Sequence, residues 1–467
     1  MYKGHLHAEL VALTRPDLWN CAAVSSNTVD LSTAFYYRNM SSRQNPAFIS
    51  PNCVDVMLEM HPLMTEWNVP IVTISGNSRK LSDKEKYPTV ISMSPSDNFM
   101  MAIFVKTTLE RFRWTNVFLL CDKGDRVVPF YIAMCAIFKN LLRPADGQFT
   151  LYDVSIKSVD SHQADLDLML EEIASRSRVV IVLTNAVVMR QLMIQAQRRN
   201  MTNGEYVYFF MQPFLLLNVF SDFSWRLDKD DDLLALEAFR VVFYMITDTE
   251  TLAQNIPTNT RDEMVNRMQS YSLCKERTTA TVEMFAAYEA VTLLAKVARD
   301  IVQKARLNNK QPNFVGTTFV KELSNRTHDL LRESTNFDIN ACKIPDFLIK
   351  QFNSTSKSFE NVILFCGKDN TSSFSFNRNL TWPGGHLPET KPRCGFDGSN
   401  NECRTNSTAT ILVSTVLVAA VLLITLLGVL VCFRWDEERS TGSHARGVLL
   451  SCDELVFGSR YTCLLSY

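Results

Sequence analysis

From Ala409 to Phe433 the chain carries no charge, and Leu, Val, Ile and Ala fill most of the 25 positions. At helical rise this run is about 37 Å long, enough to cross a hydrocarbon core of about 30 Å with some tilt. Burial in a protein core is the other way to satisfy an apolar helix, but core helices are shorter and keep a polar face. The run therefore reads as one transmembrane helix, and every other feature falls on one side of it or the other.

Seven Asn-x-Ser/Thr sequons precede the run, at Asn39, Asn200, Asn325, Asn353, Asn370, Asn379 and Asn406, and none follows it. That bias argues for a lumenal, glycosylated N-terminal region. Asn406 sits too close to the bilayer to be modified, which leaves the first six as expected acceptors. Arg434 follows the span directly, although Asp436, Glu437 and Glu438 blur the positive-inside signal. The expected topology is a single-pass plasma-membrane protein with its N-terminus outside and a short tail inside. Cysteine usage agrees, because nine of the 12 cysteines precede the span, in a compartment where disulfides persist. Nine is odd, so at least one is a buried thiol or pairs between chains. Cys432, Cys452 and Cys463, in or behind the membrane, are expected to be reduced or palmitoylated. The opening residues, MYKGHLHAELVALTRPDLW, show neither the basic start nor the apolar centre of an export signal. Either a signal is absent from this sequence or the N-terminus is incomplete.

The 467 residues suffice for two or three domains, and 46% hydrophobic with 21% charged content is ordinary for a chain that buries a large core. A net charge of −1 offers no field to attract nucleic acid. Arg198-Arg199 reads as a solvated helix end. Between residues 46 and 240 short apolar runs alternate with amphipathic stretches, the pattern of parallel strands joined by helices. Strands are expected at Pro46–Ser50, Pro70–Ser75, Thr115–Cys121, Arg178–Leu183 and Tyr206–Met211, with helices at Asp97–Arg111, Ala164–Ser175 and Asn185–Arg199. A long helix at Thr281–Arg306 carries Phe285, Ala286, Leu293, Leu294, Val297 and Ile301 on one face. Strand-like runs follow at Phe347–Phe352 and Val362–Phe365, and then Asn370–Asn406 turns rich in Pro, Gly, Asn and Thr and loses periodicity. The organisation expected is an α/β ectodomain over 1–369, a stalk over 370–408, the span over 409–433 and a cytoplasmic tail over 434–467.

Chemistry leaves few traces. His5, His7 and Glu9 match no helical metal pair. The run Asp228, Asp230, Asp231 and Asp232 resembles half a calcium loop but lacks the glycine and closing glutamate, so it reads as a solvated loop. Phosphate-binding, dinucleotide and nucleophile-elbow motifs do not occur. No catalytic residue, metal site or cofactor is expected, and binding is the remaining class. An all-parallel α/β ectodomain places strand ends around a crevice, and two such lobes face a cleft. A receptor for a peptide or small molecule follows, without identifying the ligand or its contacts.

The stretch PAFISPNCVDVMLEMHPLMTEWNVPIVTISG (46–76) is similar to the ligand-binding region shared by natriuretic-peptide receptors and receptor guanylyl cyclases, in its nematode-type form. Matches continue through LSDKEKYPTVISMSPSDNF (81–99), FRWTNVFLLCD (112–122), RVVIVLTNAVVMRQLMIQAQRRNMTNGEYVYFF (178–210) and YEAVTLLAKV (288–297), so that the resemblance spans roughly 20–403. Trp382-Pro383-Gly384-Gly385, Pro388, Pro392, Cys394-Gly395-Phe396-Asp397-Gly398 and Cys403 resemble that family's juxtamembrane collar. The resemblance implies a two-lobed type I periplasmic-binding-protein fold, a dimer with itself or with related receptors, a membrane-distal disulfide Cys21–Cys53 and a small juxtamembrane loop closed by Cys394 and Cys403. Four unpaired thiols are the alternative. Trp114 and Tyr206 fall at family positions that serve packing. The family's Gly-Pro-x-Cys turn reads Ser50-Pro51-Asn52-Cys53 here, so its chloride is not carried over. A strand and helix expected before Cys21 have no counterpart. Behind the span, Arg434–Tyr467 is 34 residues with four Arg, five Asp/Glu and no heptads, too short for a cyclase. The expectation is a receptor without output domain, acting in clearance, as a decoy or as a dimer partner. A shortened form of a full receptor guanylyl cyclase that makes cyclic GMP is the alternative, and an adhesion protein a third.

Overall fold

A computed structural model describes residues 9–13, 15, 17–18, 20–40, 45–51, 53–74, 79–143, 152–161, 163–249, 253–254, 256–270, 279–330, 333–366 and 373–439. His5, His7 and most of the C-terminal tail lie outside them. The chain forms two compact units, Met1–Pro392 and Arg393–Tyr467.

Among the described residues the first unit holds three sheets, one of them the antiparallel pair Thr327–Leu330 (β9) and Glu333–Asn336 (β10). In the smaller lobe Phe48–Ser50 (β1), Ile71–Thr73 (β2) and Val90–Ser92 (β3) pair in parallel, in that order. Their side chains alternate between two faces, as a strand's must. Ile71 and Val90 join Met57, Met60 and Met64 of helix α2 (Val54–Glu66), beside Phe35 and Tyr36 of α1 (Cys21–Met40). Val72 and Ile91 instead meet Ala290, Leu293 and Val297 of the long helix Val282–Leu307. That helix keeps the apolar stripe read from its sequence, and Thr281 caps it by accepting from the Met284 amide.

The larger lobe has an eight-stranded sheet, in the order Ser373–Phe376 (β13), Ser358–Cys366 (β12), Phe347–Asn353 (β11), Val242–Thr247 (β8), Val207–Met211 (β7), Val179–Leu183 (β6), Asn116–Asp122 (β4) and Asp153–Val159 (β5). Its parallel half comprises Asn116–Asp122 (β4), Asp153–Val159 (β5), Val179–Leu183 (β6), Val207–Met211 (β7) and Val242–Thr247 (β8). Helices α3 (Asn98–Arg111), α4 (Pro129–Leu142), α5 (Leu166–Arg176) and α6 (Ala186–Arg198) connect or flank these strands. Asp97 and Asp165 cap α3 and α5 through their carboxylates. Arg199, just past α6, pairs with Asp167 and Glu171.

The all-parallel expectation fails at the other half. Phe347–Asn353 (β11), Ser358–Cys366 (β12) and Ser373–Phe376 (β13) run antiparallel. Only residues 354–357 separate β11 from β12, and a link so short can join antiparallel strands alone. Six strands escaped the sequence reading, β3, β5, β8, β9, β10 and β13. β3 has three residues, and β5 is a half-exposed edge with the mixed pattern DVSIKSV. β8 runs on from the apolar helix Asp232–Ala238 with no Gly or Pro to mark the change. The segment read as an aperiodic stalk also differs, because it contributes β13 and then lies against the large lobe as far as Pro392.

The chain passes between the lobes after β3, after β8 and before β11, and the crossings are tied together. Thr247 Oγ1 donates to Ser96 Oγ at 3.1 Å, Asp248 N to Asp346 O at 2.9 Å and Lys343 N to Ser92 O at 2.8 Å. The second unit is a turn around Cys394–Asn400 and the helix Asn401–Arg439. Within that helix Leu412–Arg434, 23 residues, is long and apolar enough to cross a membrane.

Phe209, fully buried at the centre of the large sheet, packs edge-on to Trp114 and Phe243. Phe209→Ala is expected to lower that lobe's unfolding free energy by about 3–5 kcal/mol, read from a urea titration followed by tryptophan fluorescence.

Candidate functional site

The sheet directions define the crevice. The carboxyl end of β3 leads into one crossing, and the carboxyl end of β8 leads into another. β1 and β2 run parallel to β3, and β4, β6 and β7 run parallel to β8, so both sheets turn their carboxyl ends toward the crossings. Ligands of open α/β sheets bind beyond such ends.

On the small-lobe side, Cys53 follows β1 and is bonded to Cys21, the first residue of α1, with the Cα atoms 5.6 Å apart. Closing this 32-residue separation restrains the unfolded chain by roughly 3–4 kcal/mol. Ser50, where the family turn has glycine, is fully buried and donates to Pro51 O at 3.0 Å. Near the crossings the Cys342 thiol is buried, and burial pushes its pKa up to about 11, so it is a protonated thiol at neutral pH. Beside it, burial holds the Lys84 ammonium below its ordinary pKa while Lys84 Nζ donates to Val90 O at 2.7 Å. A solvent-open cleft lies among the crossings, lined by Pro95, Thr247, Asp248, Thr335, Lys343 and Asp346. Lys343 pairs there with Glu289 at 2.6 Å.

On the large-lobe side the loops after the strands are held stiffly. Asp122 ends β4 with its carboxylate buried, accepting from Thr184 Oγ1 at 2.6 Å, Gly124 N at 2.9 Å and Ser161 N at 3.2 Å. Burial opposes its ionisation most, but the hydrogen bonds from Ser161, Thr184 and Gly124 together prevail and hold its pKa below the usual range. A second disulfide, Cys121–Cys135, ties the end of β4 to α4. Sequence reasoning missed it. The available signal was a strand-end cysteine followed by another inside the next helix, a spacing that one βα unit closes. Asn185 bridges two neighbouring loops, accepting from Val128 N at 3.1 Å and donating to Arg126 O at 2.9 Å. Gln212, after β7, donates to Phe220 O at 3.1 Å and accepts from Tyr244 Oη at 2.5 Å.

The collar packs at the opposite, amino end of these strands. Trp382-Pro383-Gly384-Gly385 is a β-turn closed by Gly385 N donating to Trp382 O at 2.9 Å, with Gly384 at φ +85° as a type II turn requires. The Trp382 indole is buried against Phe243 and donates to Gly204 O at 2.9 Å. Gly204 has φ +108°, and a Cβ there would lie 1.8 Å from Pro383 O, so only glycine permits the approach. Farther along, Pro388 O accepts from the Trp114 indole at 2.7 Å, and Thr390 Oγ1 accepts from Thr115 N and Asn116 N at 2.9 and 2.8 Å. Gln351 brackets Thr381 by bonding both its N and its O. Trp114 thus packs and anchors. Tyr206 packs beneath the Arg178 guanidinium, 4.5 Å from its ring centre.

The remaining expected sites are scattered. Asn200, Asn325 and Asn379 are exposed, whereas Asn353 is half-buried and donates to Glu360 Oε2 at 3.0 Å. The side chains of Asn39, Asn370 and Asn406 lie outside the described residues. Cys394 is disulfide-bonded, and the side chain of Cys403 lies outside the described residues. The acidic run is more than a solvated loop, because Asp231 and Asp232 neutralise the buried Arg190 at 2.8 and 2.6 Å and Asp232 also accepts from Leu227 N. Among the described residues no His, Cys, Asp and Glu are grouped to hold a metal.

Comparison with known proteins agrees with this architecture. The family model described as receptor family ligand binding region matches residues 25–355, and the chain belongs to that family. It is 22% identical over 393 residues to atrial natriuretic peptide receptor 2 of Rattus norvegicus, covering 78% of this chain and 35% of that one. Against atrial natriuretic peptide receptor 3 of Bos taurus it is 22% identical over 353 residues, covering 73% and 60%. A receptor-type guanylate cyclase of Caenorhabditis elegans is 21% identical over 383 residues, covering 76% and 36%. The chain thus spans about a third of the receptor 2 and cyclase sequences and three-fifths of receptor 3.

Gly204→Ala is expected to lift the collar from the sheet. The amides of Thr115 and Asn116 would then lose protection in hydrogen exchange, and stability would fall by about 2 kcal/mol or more. Asp122 carries a sign that pH can test. Its folded pKa is depressed, so its contribution is present at neutral pH and is lost as pH falls through the folded value, below the ordinary aspartate range. Asp122→Asn should lower stability at pH 7, and its deficit should shrink in thermal melts taken below that range.

Proposed function

We propose that the chain is a single-pass glycoprotein of the plasma membrane whose extracellular N-terminal region captures a peptide or small-molecule ligand at the carboxyl-end crevice. The observation that carries this reading is the family match over 25–355 combined with one apolar helix at Leu412–Arg434. The receptor works as a dimer, with itself or with related receptors. Six sequon asparagines, Asn39, Asn200, Asn325, Asn353, Asn370 and Asn379, carry glycans, and a Cys394–Cys403 bond closes the turn before the span. In this reading the receptor acts in ligand clearance, as a decoy or as a silent partner in dimers. Ligand binding biases two arrangements of the lobes. Because the collar is bonded to the large lobe at Gly204, Thr115 and Asn116, that lobe's motion is the one the collar follows.

A second reading is favoured by the lengths of the relatives, of which the matched region is about a third in atrial natriuretic peptide receptor 2 and the nematode cyclase. In that reading this sequence is the receptor part of a guanylate cyclase that makes cyclic GMP. Transcript sequencing through the codons for Arg434–Tyr467 separates the two, since a stable message ending at Tyr467 removes the second.

An N-terminal epitope tag should stain intact cells, a C-terminal tag only permeabilised ones, and glycosidase should increase the mobility of the chain. An N-terminal tag visible only after permeabilisation would sink the topology. A rise in cyclic GMP on expressing this chain alone would sink the clearance reading.

A further inference from the structure

Among the described residues the eight-stranded sheet ends in two edges, β5 and β13, and they differ in character. An edge strand offers unpaired amides and carbonyls to any strand of another chain, and proteins blunt that hazard with charge, above all lysine, or with a cover. β5 carries its own protection, because Asp153 opens it and Lys157, in its middle, reaches Glu172 of α5 at 2.7 Å. β13 reads SFSF and has no ionisable group. Arg378, two residues past it, is paired with Glu360 of β12, and Lys368 and Asp369, before it in sequence, lie outside the described residues. The ladder to β12 includes Asn377 N donating to Val362 O at 2.9 Å, so by alternation the amides and carbonyls of Phe374 and Phe376 point to the outer side. Phe376 is 46% exposed, and Ser375 and residues 377–379 are exposed with it. Two sequons bracket this strand. Asn370-Thr371-Ser372 ends immediately before Ser373, and Asn379-Leu380-Thr381 begins three residues after Phe376. None occurs between Asn39 and Asn200, the interval that contains β5. The second sequon is firmly rooted, since Leu380 packs against the core of the large lobe and Gln351 bonds Thr381 N and O.

We propose that glycans at Asn370 and Asn379 cover the outer edge of β13 and keep it from pairing with a strand of another chain. The proposal rests on the glycoprotein reading above and gives two of its acceptor sites a specific task. A glycan is bulky and hydrated. Rooted on both sides of a four-residue strand, two of them exclude a second backbone, which must come within about 4.8 Å to form the ladder. A polar cover suits this edge because of Phe376, whose ring lies edge-on to Phe374 and Phe112 with centres 5.3 and 6.3 Å away. Left bare, that ring adds apolar contact to backbone pairing, the combination that drives strands of separate chains together. The two edges of one sheet are thus guarded by different means, β5 by charge within the strand and β13 by sugars at its ends.

The test uses the full chain expressed in animal cells and purified in detergent. Peptide mapping after glycosidase treatment should find Asn370 and Asn379 occupied. N370Q/N379Q should shift in sedimentation to species larger than those of wild type, and its Phe374 and Phe376 amides should gain protection in hydrogen exchange. N200Q/N325Q, which removes as many glycans elsewhere, should sediment as wild type does. Adding S375K, which places a lysine on the exposed edge, should return N370Q/N379Q to the wild-type species. Should N370Q/N379Q fail to fold, endoglycosidase trimming of the folded wild type reads the same shift, and S375K should abolish it. Unchanged sedimentation of N370Q/N379Q, or of the trimmed wild type, would overturn the guard and leave the receptor reading standing. Protection of the two amides in untreated wild type would do the same, since the edge would then already be paired. Occupied sequons elsewhere with Asn370 and Asn379 bare would overturn the guard alone, whereas no occupied sequon at all would overturn the glycoprotein reading with it.

Discussion

The base of the large sheet depends on two buried tryptophans whose indoles need acceptors. An indole N–H taken out of water without a partner costs a few kcal/mol, so the position of its acceptor becomes a constraint on the fold. Trp114 finds Pro388 O and Trp382 finds Gly204 O, one bond reaching from sheet to collar and the other from collar to sheet. Both rings close on Phe243, which also meets Phe209. The collar is thereby part of the hydrophobic core, through Trp382.

This arrangement sets the two ends of the parallel strands against each other in character. At the amino end the chain that leads toward the apolar helix is bonded in place. At the carboxyl end, loops pinned by Asp122, Asn185 and Gln212 surround a crevice beside three crossings. The crossings bond mainly through backbone groups and small hydroxyls.

Element types were largely legible, because periodicity and composition act locally. The strands at β1, β2, β4, β6 and β7 and the helices at α3, α5 and α6 follow apolar runs and amphipathic stripes within a residue or two of the reading. What escaped lacked local contrast. β5 is polar on its exposed face, β3 is three residues long, and β8 has no break before it. At the crevice, the chain's resemblance to a receptor family drew attention to Cys21 and Cys53, while the Cys121–Cys135 bond and the Asp122 network had no family motif to announce them.

The sequence by itself determined that one helix is apolar enough for a membrane, that the region before it alternates strand and helix, and that its signatures are those of a ligand-binding receptor family. These are properties of runs, counts and ordered motifs. Tertiary structure decided the antiparallel half of the large sheet, the docking of the collar and the joining of the loops after β4 and β6 through Asn185. Each depends on groups far apart in the chain, Trp382 and Gly204 by 178 residues and Trp114 and Pro388 by 274. No local pattern encodes a partner at that distance. The physical reason is that an acceptor for a buried indole, or room for a carbonyl beside a glycine, exists only after the sheet has formed.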